Sequence, residues 1–334
     1  MKVAVFGSTG FVGKYILKSL LNHKHEVHTL VRNGSENKLK DIDNINISTG
    51  DVTNNTSLDQ TMMNCSTVIY NIGIIRQFPS KGITYEKLHY QYAKKIIDRA
   101  VYYKIKHFIL MSANGVKLDG TGYQSTKFKA EEYLKKSGLN YTIFRPSLIF
   151  GKPTNDQEFC SQLRDTMLKL PIPAPLFFPG MNIFEAGKFK MSPIHVENVA
   201  DFFVKCIQNE KHFNMTYNLG GSQSYNWKKI IHIISSALNK RKLMIPAPVL
   251  PIKIVAFFLD RFKLFPITRD QLNQKWKLAK KKAKIKDYHW HDNRCTGISW
   301  CFEKKKLDVS EVMTISGHKS PTILLKRYTK LNPT

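Results

Sequence analysis

Residues 1–13 read MKVAVFGSTGFVG, and their interpretation decides the fold. The run KVAVFG forms a short apolar strand. Gly7, Gly10 and Gly13 then make a G-x-x-G-x-x-G turn that opens a helix over Phe11 to Asn22. Glycines at this spacing permit a tight turn and a close approach of backbone to ligand. Free N–H groups at the positive end of the helix can then donate to a pyrophosphate. A purely structural turn would show the same glycines, but the strand–turn–helix setting at the head of a βα series points to dinucleotide binding.

Further strand-like runs follow: EVHTLV (26–31), INISTG (45–50), TVIYNIG (67–73), HFILMS (107–112) and NYTIFRP (140–146). Helical patterns near Tyr85 to Tyr103 and Gly122 to Ser137 alternate with them, which predicts an α/β fold, a doubly wound parallel sheet with helices on both faces. After Gly151 the regularity gives way to PIPAPLFFPG (171–180), read as loops covering a pocket. Mixed structure resumes at His195, with a helix near Glu197 to Gln208, a strand in TYNLGG (216–221) and a helix near Trp227 to Leu238. Composition changes at Gln274. The expected division is a nucleotide-binding domain over 1–150, a small mixed substrate lobe over 151–273, and a basic, mainly helical tail over 276–334.

Of the 334 residues, 42% are apolar and 23% charged, which fits a globular protein and excludes disorder or a collagen-like chain. Charge is the anomaly: 52 basic against 25 acidic residues leave +27. The excess is concentrated from Lys275 onward, where 15 basic residues face 5 acidic ones in 60. Such a balance favours contact with nucleic acid or anionic lipid, although abundant Lys, Asn and Ile throughout also reflect a lysine-rich composition. Cys65, Cys160, Cys206, Cys295 and Cys301 are odd in number and lack a C-x-x-C pair, so a reducing cytoplasm is expected and neither a disulfide framework nor a zinc site. The glycine-punctuated N-terminus is not read as a signal peptide. Val249 to Phe265 is strongly apolar, but Lys253, Asp260, Arg261 and Lys263 interrupt it; it could lie on an anionic membrane surface but not cross one.

The second strand ends in Leu30-Val31-Arg32, without a carboxylate to bind a ribose diol. A basic residue there suits a 2′-phosphate, so NADP is preferred and NAD stays open. Asp51, in TGDV, is placed to meet the adenine edge or to cap a turn. Tyr123 and Lys127 make a Y-x-x-x-K pair on one helix face, where a lysine ammonium can lower the phenol pKa and hold the ribose. Four such pairs occur, at Tyr90, Tyr102, Tyr123 and Tyr225; only Tyr123 follows HFILMS by a short loop, with Ser112 at the strand's ligand-binding edge.

Taken with LVRN, GDV, NIGI, MSANG, FRPSLIFG, PIHVENVA, YNLGG and PITRDQL, the chain over 1–273 resembles the extended or atypical short-chain dehydrogenase/reductases. Within them it is most similar to the nucleotide-binding accessory subunit of respiratory complex I and its bacterial relatives. The resemblance implies a Rossmann-like fold of the NAD-dependent epimerase/dehydratase kind. It implies NADP or NAD held by Gly7, Ser8, Thr9, Gly10, Phe11, Gly13, Arg32, Asp51, Val52, Asn71 and Lys127, with Ser112, Tyr123 and Lys127 as the catalytic set. Such a chain either turns over as an oxidoreductase or epimerase or keeps the nucleotide as a structural ligand in a respiratory complex, in the cytoplasm or peripherally at the inner membrane.

A second constellation lies in the tail: His291 and Arg294 in WHDNRCT, His318 in SGHKS and Tyr328 in KRYTK. Tyrosine-mediated phosphodiester transfer needs cations on the non-bridging oxygens and imidazoles to manage protons. The order and spacing resemble the C-terminal end of a tyrosine recombinase (phage integrase) catalytic domain, with Tyr328 as nucleophile. That family's first arginine and its lysine have no counterpart upstream, where the reductase-like region stands. The expectation is a fusion remnant that binds DNA weakly and without sequence preference, not a working recombinase.

Overall fold

Alternate side chains of the first strand, β1 (Lys2–Phe6), feed two different cores, which is why the strand reads as an unbroken apolar run. The computed structural model describes residues 1–248 except 76, 154–157, 170–172 and 179–181. After β1 come α1 (Phe11–Asn22), β2 (Glu26–Val31), β3 (Ile45–Thr49), α2 (Asn55–Met62), β4 (Thr67–Tyr70), α3 (Tyr92–Tyr102), β5 (His107–Met111), α4 (Gly122–Lys135) and β6 (Tyr141–Pro146). The chain continues through β7 (Ile149–Phe150), α5 (Phe159–Leu163), β8 (Ala174–Phe178), β9 (Lys190–Met191), β10 (Ile194–His195) and α6 (Val196–Lys205). It then forms β11 (Met215–Leu219), β12 (Tyr225–Asn226), α7 (Trp227–Ala237) and β13 (Met244–Pro248).

Seven strands form one sheet in the order β3-β2-β1-β4-β5-β6-β11, every neighbour parallel. On one face Val3 and Val5 pack with Ile16, Leu17 and Leu20 of α1 and with Val199, Ala200 and Phe203 of α6. On the other, Ala4 and Phe6 meet Leu58 and Met62 of α2, Ile96 and Ile97 of α3, and Ala130 and Leu134 of α4. The strand order reverses between β1 and β4, so the carboxyl ends of those strands diverge and leave a crevice, the place where open α/β sheets bind ligands. This is the Rossmann-like architecture expected from the alternating pattern.

Three departures from the sequence reading have physical causes. PIPAPLFFPG was expected to be loop, yet its residues 174–178 are β8, paired in parallel with β13. Proline disfavours central strands but is tolerated at sheet edges, and a two-stranded sheet is all edge. Ala174, Leu176 and Phe178 are buried in alternation, beside Trp227, whose indole donates to the Pro175 carbonyl at 2.8 Å. The helix expected over 85–103 starts with a π-helical stretch, Glu86–Gln91, before α3; such stretches concentrate at functional sites. Finally, the sheet is not complete within residues 1–150: α6 covers α1 and β11 supplies the seventh strand beside β6. The nucleotide-binding unit therefore draws on residues 194–219 as well, while a third core of Leu163, Leu176, Trp227, Ile230 and Ile231 holds the smaller lobe. Val249 to Phe265, the boundary near Gln274 and the tail constellation lie outside the described residues.

Candidate functional site

Two adjoining clefts open at the carboxyl ends of the strands, of about 360 Å³ and 340 Å³, sharing Gly10, Asn71, Gly73 and Ile74 as common walls. The turn between β1 and α1 forms their floor. Gly7 has φ +95°, and a Cβ there would sit 2.7 Å from the Asn71 carbonyl group. A Cβ on Gly13 would approach the Gly7 carbonyl oxygen to 2.2 Å, so this glycine lets α1 lie against β1. Gly10 differs: a Cβ there meets nothing nearer than 3.6 Å, because the space in front of it is the cleft. Gly10 is also the N-cap of α1, which therefore has no side-chain cap and no acidic residue in its first turn. The first-turn N–H groups remain available, as an anionic ligand requires.

Thr9 faces the first cleft and Phe11 the second, whereas the Ser8 side chain is fully buried, its hydroxyl 2.6 Å from that of Thr29. Ser8, expected at the cofactor, lines neither cleft. Arg32, just past β2, lines the first cleft with Asp51, Val52 and Asn71. Lys81 and Lys87 join them, two cations that sequence reasoning missed because they arrive from the distant segment before α3. The Asp51 carboxylate accepts from the Thr53 N–H at 2.8 Å and from its hydroxyl at 2.6 Å. Burial pushes its pKa up, but these bonds and the charges of Lys87 and Arg32 outweigh that and hold it below the ordinary value.

The second cleft contains Ser112, Tyr123 and Lys127 together. Lys127 is buried and its ammonium donates to the Met111 carbonyl at 3.0 Å, while lying 5.8 Å from the Tyr123 ring centre. Burial pulls the lysine pKa down to about 8, against the opposing pull of Glu131. The Tyr123 phenol is pushed up to about 12 by burial and by Tyr85. The phenol thus lies above its ordinary value, where the sequence reading expected Lys127 to lower it, and burial is the larger cause. Ser112 lines the cleft but its hydroxyl donates to the fully buried carboxylate of Glu131, which Arg145 grips through Nε, at 2.9 Å, and Nη2. The next cleft-lining residue on that edge is Ala113, which has no hydroxyl.

His89, carried by the π-helical stretch, ties the site together. The Ile74 N–H donates to its Nε2 at 3.1 Å, so Nδ1 carries the proton and donates to Thr126 at 3.2 Å; Thr126 in turn donates to the Gly122 carbonyl at 2.7 Å. Burial and the nearby Lys127 push its pKa down to about 3, which keeps it neutral. Its ring also meets Tyr123 edge-on, 5.2 Å between centres, fixing the phenol from the side. No sequence signal marked His89, Glu131 or Arg145, since each acquires its role through contacts across the fold.

A Rossmann-like sheet, an uncapped glycine N-terminus on α1 and a Tyr–Lys pair at the neighbouring edge make up an NAD(P)-binding fold of the short-chain dehydrogenase and epimerase kind. Residues 7–169 match the NAD(P)H-binding family. The chain is 24% identical over 268 residues to the mitochondrial 40 kDa subunit of NADH-ubiquinone oxidoreductase from Neurospora crassa, covering 79% of this chain and 67% of that one. Its fold is shared with UDP-glucuronic acid 4-epimerase from Bacillus cereus in complex with NAD, at TM-score 0.61 and 16% identity, covering 74% and 86% of the two chains. A 68-residue stretch, 20% of this chain, is 41% identical to 17% of the shufflon-specific DNA recombinase of Escherichia coli. Among the described residues no helix is long and apolar enough to cross a membrane.

Proposed function

We propose that the chain binds NADP(H) in preference to NAD(H) and acts as a reductase, with Tyr123 supplying a proton. The observation that carries this reading is the single continuous crevice joining the open end of α1, Arg32 and the Tyr123–Lys127 pair. The N–H groups of the first α1 turn hold the pyrophosphate and Arg32 pairs with the 2′-phosphate. Asp51 and Val52 border the adenine, and Lys127 hydrogen-bonds the nicotinamide ribose. A bound reduced nicotinamide supplies hydride. Tyr123, with a pKa near 12, is protonated at neutral pH and so suits the role of acid in a reduction. Ser112 acts by positioning α4 through Glu131 and does not reach substrate.

Arg32→Glu is expected to reverse the preference, making NADH the tighter ligand; equal affinities of the unaltered chain for the two cofactors would refute the role of Arg32. Tyr123→Phe should leave NADPH affinity unchanged and remove cofactor oxidation with any substrate found; retained turnover would refute the acid assignment.

The engaged Ser112 and the hydroxyl-free Ala113 favour a second reading, in which the nucleotide is a structural ligand and the chain serves as a subunit of a respiratory oxidoreductase, as its Neurospora relative's name suggests. In that case Tyr123→Phe changes nothing measurable while loss of nucleotide lowers stability. The 68-residue recombinase likeness supports a third activity, weak DNA binding by the tail with His291, Arg294, His318 and Tyr328 as an incomplete catalytic set.

A further inference from the structure

Past Tyr123 the crevice continues. Leu148 and Phe159 wall both the second cleft and a further pocket of about 390 Å³. We propose that this pocket binds an uncharged, mostly hydrocarbon ligand, not a nucleotide sugar or other phosphorylated molecule. The inference rests on the reductase reading only in taking Tyr123 as the point where the ligand's polar group would end.

The charge pattern carries it. Among the described residues, none lining the pocket is Lys, Arg, Asp or Glu. A diphosphate deprived of water would need cationic or N–H donors to replace its hydration. The side-chain N–H donors on the lining are the amides of Asn198 and Gln223 and the Nε2 of His195, whose Nδ1 accepts the Glu197 N–H at 3.4 Å; none of them is a fixed cation, and they suit the single polar group of a largely apolar ligand. The helix end nearest the passage is closed as well. Glu158, almost fully buried on the wall of the second cleft, accepts from the N–H groups of Cys160 at 2.7 Å and Ser161 at 2.6 Å. Its carboxylate occupies the N-terminus of α5 and would repel an anion passing Tyr123. This is the opposite of α1, whose N-terminus is left open.

The apolar side is equally specific. Ile230, Ile233 and Ile234 stand at i, i+3 and i+4 along α7 and form one wall. Ile233 is 43% exposed there, a large apolar side chain left uncovered in a concave place. Phe150 and Phe159 also line the pocket. A hydrocarbon body burying such surface gains roughly 25 cal/mol per Å².

Calorimetric titration of the full chain with 2-decanone and, separately, with UDP-glucose tests this. Saturable binding of 2-decanone and none of UDP-glucose is expected. Ile233→Lys and Gln223→Lys, both at exposed lining positions, should each weaken 2-decanone at least tenfold while leaving the NADPH-induced melting shift intact. Binding of UDP-glucose, or 2-decanone affinity unaffected by both variants, would overturn the proposal. Absence of an NADPH shift with 2-decanone still bound would instead refute the nucleotide reading and leave the pocket assignment standing.

Discussion

Gly10 and Gly13 lie three residues apart in the same turn, yet the structure assigns them opposite kinds of necessity, and a pair of substitutions separates these. Gly10 has φ −79° and ψ 171°, extended backbone open to any residue, and a Cβ there meets nothing nearer than the Gly7 carbonyl oxygen at 3.6 Å, an ordinary contact. Gly10→Val should therefore fold, losing no more than about 1 kcal/mol for a poorer N-cap. Its methyl groups would occupy the space reserved for the pyrophosphate. At 100 times Kd a ligand stabilises by about 2.7 kcal/mol, which for a chain of this size is a melting shift of roughly 4 °C. NADPH should produce that shift in the unaltered chain and less than ~1 °C in Gly10→Val. Gly13→Ala should behave the other way. Its Cβ would press to 2.2 Å and 2.8 Å on backbone atoms of Gly7 and Ser8, so the apo chain should lose about 1–3 kcal/mol or more. Scanning fluorimetry with and without NADPH reads both. A full ligand shift in Gly10→Val would refute the assignment of the open α1 terminus to the pyrophosphate.

The pH dependence of stability offers a second check. Lys127 has a folded-state pKa near 8 against 10.5 unfolded, so between those values the unfolded chain binds the extra proton and stability rises with pH. Lys127→Met should remove this rise and stabilise the apo chain below pH 8 by an amount on the order of 3 kcal/mol, as an upper bound; denaturant titrations at pH 7 and 10 that show the same slope in both chains would contradict the burial argument. For the tail, DNA affinity of the full chain should fall steeply with salt and be lost on truncation after residue 273, with no covalent adduct on a nicked substrate. An adduct abolished by Tyr328→Phe would make the tail a working active site.

What could be read from the sequence was whatever local chemistry dictates. β1 and α1 were legible because an apolar run ending in spaced glycines admits few other readings, and Tyr123 was picked from four similar pairs by its place after a strand. The second-lobe strand β8 was not, because its prolines signal turns wherever the partner is unknown, and β13 is 70 residues away from it. Helix α2 escaped since NTSLDQTM has too little apolar periodicity; it forms because Asn54 caps it, accepting from Thr56 at 2.9 Å, and because Leu58 and Met62 find α3. The role of Ser112 depended on a contact that no spacing predicts. A serine at a strand's edge can face either the ligand or the helix packed behind, and here Glu131, clamped by Arg145, takes the hydroxyl.

The two helix N-termini along the crevice show how one physical rule yields opposite sites. The first-turn N–H groups of both α1 and α5 need acceptors from outside the helix, and the two ends find them differently. At α1 the capping position is Gly10, which has no side chain to spend on those donors, and the neighbouring surface adds Arg32, Lys81 and Lys87. At α5 the capping position is Glu158, which consumes the donors itself and leaves a negative wall beside an uncharged pocket. A dinucleotide laid against α1 would carry its charge away from Tyr123, and on the proposal above what meets it from the α5 side is neutral. The choice of glycine or glutamate at a single capping position thus divides the crevice into an anionic-ligand half and an apolar half, with the Tyr123–Lys127 pair at their junction.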